Sequence, residues 1–125
     1  MITQSSLEPE VLGEAIAFHG ELDVANAPEF RDRILAIAAA PGGRLMIDLS
    51  SCTFVDSLGL AALVEGASEM HKRGRVVVLV CRAPQVRRTL ALTGVDQQLP
   101  VCWSREEGME ILSNPHQAVP RPTQT

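Results

Sequence analysis

The residues with the most distinctive chemistry are a serine and its acidic neighbour, Ser57 and Asp56, which stand directly before an apolar-periodic segment. A serine at such a junction is commonly a helix N-cap, but its hydroxyl is also accessible to a kinase because the preceding chain is a loop. The neighbours favour the second role, since Gly59 permits close backbone approach and Leu58 and Leu60 place apolar side chains near an exposed first turn. Both interpretations stay open at this point.

Three aspartates mark the ends of predicted strands. Asp23 follows a strand that ends at Leu22, Asp48 lies near the end of residues 46–49, and Asp56 precedes the second predicted helix. Each of them taken singly is explained as a helix cap or a turn residue. Together they indicate a site, because partners and ligands of α/β sheets meet the carboxyl ends of the strands.

The sequence carries no pattern of a catalytic, nucleotide-binding or metal site. It lacks the Gly-x-Ser-x-Gly elbow, the dinucleotide fingerprint and the P-loop, and Ser57 has no evident partner base. The histidines are isolated in sequence, and the cysteines are widely spaced: His19, His71 and His116; Cys52, Cys81 and Cys102. We therefore predict no enzyme activity, no metal, no cofactor, and reduced, mostly buried thiols.

Composition predicts one folded domain. The chain has 125 residues, 46% hydrophobic and 21% charged, with a formal net charge of -4. An acidic chain without a basic patch disfavours nucleic acid and anionic lipid as partners. Residues 1–12 do not resemble a signal peptide, and no apolar run is long enough to span a membrane, so a cytoplasmic location is expected.

Periodicity predicts alternating strands and helices. Strands are expected at residues 15–22, 44–49, 75–81 and 99–102, with an edge strand within residues 5–12, and helices are expected to begin near Pro28, Ser57, Pro84 and Ser104. This order implies an α/β fold with a largely parallel, mixed sheet of four to five strands covered by about four helices. The domain is predicted to occupy residues 1–112, followed by a disordered proline-rich tail at residues 113–125.

The larger aromatic and basic side chains receive structural interpretations. Phe18 and Trp103 are predicted to serve packing. A group of arginines around the third helix is predicted to be a solvated helix face that could extend a partner surface: Arg82, Arg87 and Arg88.

Three segments resemble the signature of STAS domains, and specifically of bacterial anti-sigma factor antagonists. They are Gly-Glu-Leu-Asp at residues 20–23, Ile-Asp-Leu-Ser at residues 47–50, and Phe-Val-Asp-Ser-Leu-Gly-Leu at residues 54–60. The resemblance extends over residues 13–112. It implies a STAS fold and a protein without catalytic activity.

The resemblance also implies a switch. In that family the anti-sigma factor is itself a serine kinase and phosphorylates the serine that matches Ser57. The unphosphorylated antagonist binds the anti-sigma factor and thereby frees the sigma factor. A serine phosphatase reverses the modification. The implied contact residues are Asp23, Asp56, Ser57, Leu58, Gly59 and Leu60. Many members carry a second serine where this chain has Leu58. A monomer or weak dimer is expected. The alternative is a STAS subunit of a transporter, lipid-trafficking or signalling complex that is not phosphorylated.

Overall fold

The part of the chain that the structure describes contains seven strands and four α-helices. The computed structural model describes residues 1–7, 11 and 13–114. The strands are β1 (Ile2–Ser6), β2 (Gly13–Phe18), β3 (Gly20–Leu22), β4 (Arg44–Asp48), β5 (Cys52–Val55), β6 (Val76–Val80) and β7 (Val101–Cys102). The helices are α1 (Ala27–Ala39), α2 (Ser57–Lys72), α3 (Pro84–Leu92) and α4 (Arg105–Ser113), and a short 3₁₀ helix (Val95–Gln97) follows α3.

Five strands form the main sheet, in the order β1-β2-β4-β6-β7. β1 runs antiparallel to β2, and the other neighbouring pairs are parallel. The predicted α/β fold with a mixed, largely parallel sheet is therefore confirmed. Because parallel strands share their direction, the helices that follow β5 and β6 start at the carboxyl edge of the sheets.

The sheet separates two apolar cores, as the alternation of side chains along a strand requires. On one face, Ile47 and Leu79 join the buried sides of α1, α2 and α3. On the other face, Met46, Val78 and Leu112 belong to a smaller core beneath α4. Apolar residues at helical spacing form the buried face of α1: Phe30, Ile34, Ile37 and Ala38.

The strand predicted at residues 15–22 is divided in two. At His19 the backbone N–H donates to the carbonyl of Met1, whereas the N–H of Gly20 donates to the carbonyl of Ser51, so the chain changes partners between these residues. Gly20 permits the change because its φ of 102° is accessible to glycine. β3 then pairs with β5 in a separate two-stranded sheet, and β5 was not predicted.

The chain ends differ from the prediction in position. The edge strand, which was predicted within residues 5–12, occupies Ile2–Ser6. α4 extends one residue beyond the predicted domain end, to Ser113. The rest of the predicted disordered tail, from residue 115 onward, lies outside the described residues, so that prediction stands untested.

Candidate functional site at the start of α2

Asp56, not Ser57, is the N-cap of α2. Its backbone is extended, and its Oδ1 accepts a hydrogen bond of 2.8 Å from the backbone N–H of Gly59. This is the standard capping geometry, in which a side-chain oxygen satisfies a free N–H of the first turn. The interpretation of Ser57 as the capping residue is therefore wrong, because the preceding aspartate already fills that position.

Ser57 is the first residue of α2, and its side chain is exposed. Within the described part of the chain, no side chain or backbone group forms a hydrogen bond with its hydroxyl. No described histidine or carboxylate is therefore positioned to activate it as a nucleophile. The hydroxyl is accessible and serves no capping function.

A hydrogen-bond network fixes the loop after β3 against the start of α2. The Oδ2 of Asp56 accepts from the backbone N–H of Val24 at 3.1 Å, and the backbone N–H of Asp56 donates to the carbonyl of Leu22. Asp23 closes the loop itself, since its Oδ1 accepts from the N–H of Ala25 at 3.0 Å. The loop that contains Asp23 and the start of α2 at Asp56, which were predicted to lie at one edge of the sheet, are thus joined directly by hydrogen bonds.

Gly59 is required by packing inside the protein. A Cβ at this position would lie 2.6 Å from the carbonyl oxygen of Leu22, which is closer than side chains tolerate. The residue is buried, so α2 can approach β3 closely only because it has no side chain here. Gly59 therefore supports the predicted contact surface from beneath.

Exposed apolar side chains flank Ser57 on both sides of α2. Leu58 is 51% exposed and Val24 is 63% exposed, and both line a cavity of about 280 Å³ between α1 and α2. On the other side of α2, Ser57 and Leu60 border a groove of about 730 Å³ that continues along the helix. We refer to Val24, Ser57, Leu58 and Leu60 as the docking surface.

Val24 was missed in the sequence prediction. A signal was available, because a valine in the turn Asp-Val-Ala-Asn is an apolar residue where turn chemistry favours polar ones. Its proximity to Leu58 could not be read from the sequence, since the two residues belong to separate helix-entry loops.

Asp48, the third predicted aspartate, serves a different local structure. It ends β4, forms an ion pair of 3.0 Å with Arg105, and accepts hydrogen bonds from the hydroxyl and N–H of Ser50. Burial raises the pKa of Asp48, but the hydrogen bonds from Ser50 and the charge of Arg105 outweigh it, so the pKa lies below its usual value. Asp48 links β4 to α4 and forms no hydrogen bond with the docking surface.

Two predictions about large side chains require correction or refinement. Arg87 is only 5% exposed, so it is not part of a solvated helix face as predicted, whereas Arg82 and Arg88 are exposed. Its guanidinium donates to the carbonyls of Cys81 and Cys102 and lies 3.5 Å from the ring centroid of Trp103. Trp103, which is 52% exposed, covers the buried guanidinium of Arg87 at the protein surface.

The predicted thiols are free and buried, as expected. Desolvation raises the pKa of all three, to about 11 for Cys81 and about 12 for Cys102. Across residues 1–7, 11 and 13–114, no group of three or more histidine, cysteine or acidic side chains could hold a metal ion. None of the helices in the same residues has the length and apolarity needed to cross a membrane.

Comparisons with known proteins agree with this architecture. A similar solved structure is an anti-sigma factor antagonist from Mycobacterium paratuberculosis, with 27% identity, a TM-score of 0.79, and coverage of 91% of this chain and 96% of the other. The anti-sigma factor antagonist SpoIIAA in its unphosphorylated form shares the fold, with 18% identity, a TM-score of 0.67, and coverage of 91% and 99%. The STAS domain matches residues 8–108. The chain belongs to the STAS domain family.

Proposed function

We propose that this protein is an anti-sigma factor antagonist that acts in the cytoplasm: it binds an anti-sigma factor with serine kinase activity and thereby releases a sigma factor. The observation that carries the proposal is that the exposed hydroxyl of Ser57, which has no hydrogen-bond partner among the described residues, is flanked by exposed apolar side chains. The likeness to the mycobacterial anti-sigma factor antagonist supports it. No catalytic role is proposed for the chain.

The docking surface has the composition of a protein-binding site. Exposed leucine and valine side chains rarely cluster on a monomer without a partner, and burial of apolar area is the main favourable contribution to association. Leu58 strengthens this apolar character at the position after the acceptor serine. Asp23, Asp56 and Gly59 act indirectly, by fixing the loop and the helix that present the surface.

Phosphorylation of Ser57 is proposed as the off-switch. A phosphate at the first residue of α2 lies near the positive end of the helix, and the backbone N–H groups of Ser57 and Leu58 have no hydrogen-bond acceptor among the described residues. The fold therefore accommodates the modification. The added charge of about -1.5 to -2 enters an apolar surface that docking would bury, so docking is lost through the cost of desolvating the phosphate.

The test combines phosphorylation and binding. Purified protein is incubated with ATP and candidate anti-sigma kinases, and intact mass is measured for wild type, Ser57→Ala and the matched control Ser68→Ala, which removes an exposed serine from the same helix. We expect one added phosphate in wild type and Ser68→Ala and none in Ser57→Ala. A serine phosphatase is expected to remove it.

Binding distinguishes the switch from the alternative. Ser57→Ala should bind the anti-sigma factor like the wild type, whereas Ser57→Glu should bind on the order of tenfold or more weakly. Ser57→Glu should keep its free energy of unfolding within about 0.5 kcal/mol, as for an ordinary surface substitution. Unmodified Ser57 and equal binding by all variants would contradict phospho-regulation and leave an unphosphorylated STAS subunit of a larger complex as the explanation.

A further inference from the structure

A second cavity lies at the sheet edge opposite the docking surface. It occupies about 460 Å³ where β2, β4 and β6 begin, with Gly13, Arg44 and Val76 in register across the three strands. The last turns of α1 and the loop from Pro41 to Gly43 form its other wall. Because Ser57 follows the carboxyl end of β5, this cavity is separate from the proposed docking site.

Three arginines line the cavity, although the net charge of the chain is negative. Arg33, Arg44 and Arg75 line it, and Glu14 is the single carboxylate among the lining residues. Such a concentration of positive charge in a concave site attracts an anion, because the low-dielectric walls focus the local potential.

Ordinary structural roles explain this arrangement in part. Arg75 donates through Nη1 to the carbonyl of Ile37 at 3.1 Å, as expected for a cation near the C-terminal end of a helix, and Arg33 lies 3.9 Å from Glu29 in an exposed pair. The side chain of Arg44 forms no hydrogen bond or ion pair among the described residues. It therefore keeps its full set of donors for a ligand.

The backbone adds further donors. The N–H groups of Gly42 and Gly43 donate to no acceptor in the described part of the chain. Gly42 has a φ of 139° and open space where a Cβ would stand, so the loop presents its backbone without side-chain cover. Main-chain N–H groups of this kind bind phosphate and carboxylate oxygens.

The floor of the cavity is apolar. Ala36 and Ile37 in the last turn of α1, Ala40 just after the helix, and the buried Met70 all line the cavity. A simple inorganic ion would leave this area in contact with water. The lining instead suits a ligand with both an anionic group and a short hydrocarbon part.

We propose that this cavity binds a small organic anion, in which a phosphate or carboxylate contacts Arg44, Arg75 and the Gly42–Gly43 backbone and an alkyl portion packs on α1. The two anionic groups share the same recognition chemistry. The site is independent of sigma-factor control, so its failure would leave the proposed function unaffected.

The test is a titration of the full chain followed by amide NMR shifts. Hexyl phosphate and hexanoate are the candidate ligands, and inorganic phosphate and hexanol supply the charge or the alkyl chain alone. We expect the largest shifts at the amides of residues 42–44 and 75, and an affinity on the order of tenfold higher for hexyl phosphate than for either half-ligand. Hexanoate binding in place of hexyl phosphate would identify a carboxylate ligand.

Two variants and a control make the assignment specific. Arg44→Gln should weaken binding about fivefold, as expected for loss of one partly exposed charge pair, and Ala36→Leu should weaken it by filling the cavity without removing charge. Arg88→Gln removes an exposed arginine elsewhere and should leave affinity unchanged. Binding of hexyl phosphate and hexanoate no tighter than that of hexanol, or binding insensitive to both cavity variants, would overturn the proposal.

Discussion

Replacing Asp56 with alanine should destabilise the protein more than the loss of an ordinary helix cap. The side chain has two acceptor roles: Oδ1 caps α2 at Gly59, and Oδ2 holds the N–H of Val24 in a different loop. Loss of a cap costs about 1 kcal/mol, and loss of a second, more exposed hydrogen bond adds about 0.5 to 1 kcal/mol. The expected decrease in the free energy of unfolding is about 2 kcal/mol.

Urea unfolding followed by far-ultraviolet circular dichroism measures this change. With a denaturant dependence of about 2 kcal/mol per molar urea, the midpoint should fall by about 1 M. Ser104→Ala is the matched control, because Ser104 caps α4 through a single hydrogen bond of 3.2 Å to the N–H of Glu107. Its expected cost is about 1 kcal/mol. Asp56→Asn keeps one acceptor oxygen and should fall between wild type and Asp56→Ala.

Hydrogen exchange separates the two roles of Asp56. In Asp56→Ala the amides of Gly59 and Val24 should both exchange faster than in the wild type, because each loses its acceptor. A midpoint shift no larger than that of Ser104→Ala, together with unchanged exchange at Val24, would refute the argument that this aspartate joins the two loops.

Three further outcomes follow from the packing and the titratable groups. Gly59→Ala should destabilise the protein by roughly 1 to 3 kcal/mol in urea unfolding, although alanine favours helices, because its Cβ would stand 2.6 Å from the Leu22 carbonyl oxygen. Ser57→Ala serves as the neutral control. Equal urea midpoints for the two variants would contradict the packing argument. The pKa of Asp48 is lowered in the folded state, so its contribution to stability is present above its unfolded value near 3.8 and is lost as pH falls through the folded pKa. The difference in unfolding free energy between wild type and Ser50→Ala should therefore shrink below about pH 4 in urea titrations. A difference that stays constant with pH would count against this linkage. Burial raises the pKa of Cys52, the pKa of Cys81 to about 11 and the pKa of Cys102 to about 12. A thiol reagent at pH 8 should therefore label no cysteine in the native protein and all three in urea. Rapid labelling of the native protein would show that a thiol is accessible.

Local sequence patterns were sufficient for most of the fold. The helix over residues 57–72 follows from apolar residues at helical spacing and from Gly74, whose φ of 69° suits a chain that leaves a helix. The run Val76–Val80 is almost wholly buried, as expected for a strand covered on both faces. These features depend on neighbours within a few residues, so they are legible in the sequence, and the family signature around Ser57 is equally local.

Long-range contacts decided the rest. β5 is four residues long and forms only because β3 lies beside it, and the division of the strand at His19 depends on the carbonyls of Met1 and Ser51. Asp56 also holds the backbone N–H of Val24, in a contact between residues 32 positions apart. Arg87 is buried because the carbonyls at the ends of β6 and β7 accept its donors. Periodicity carries no information about such contacts, because they depend on how separate strands and helices pack against one another. The same packing forms the docking surface and the arginine-lined cavity.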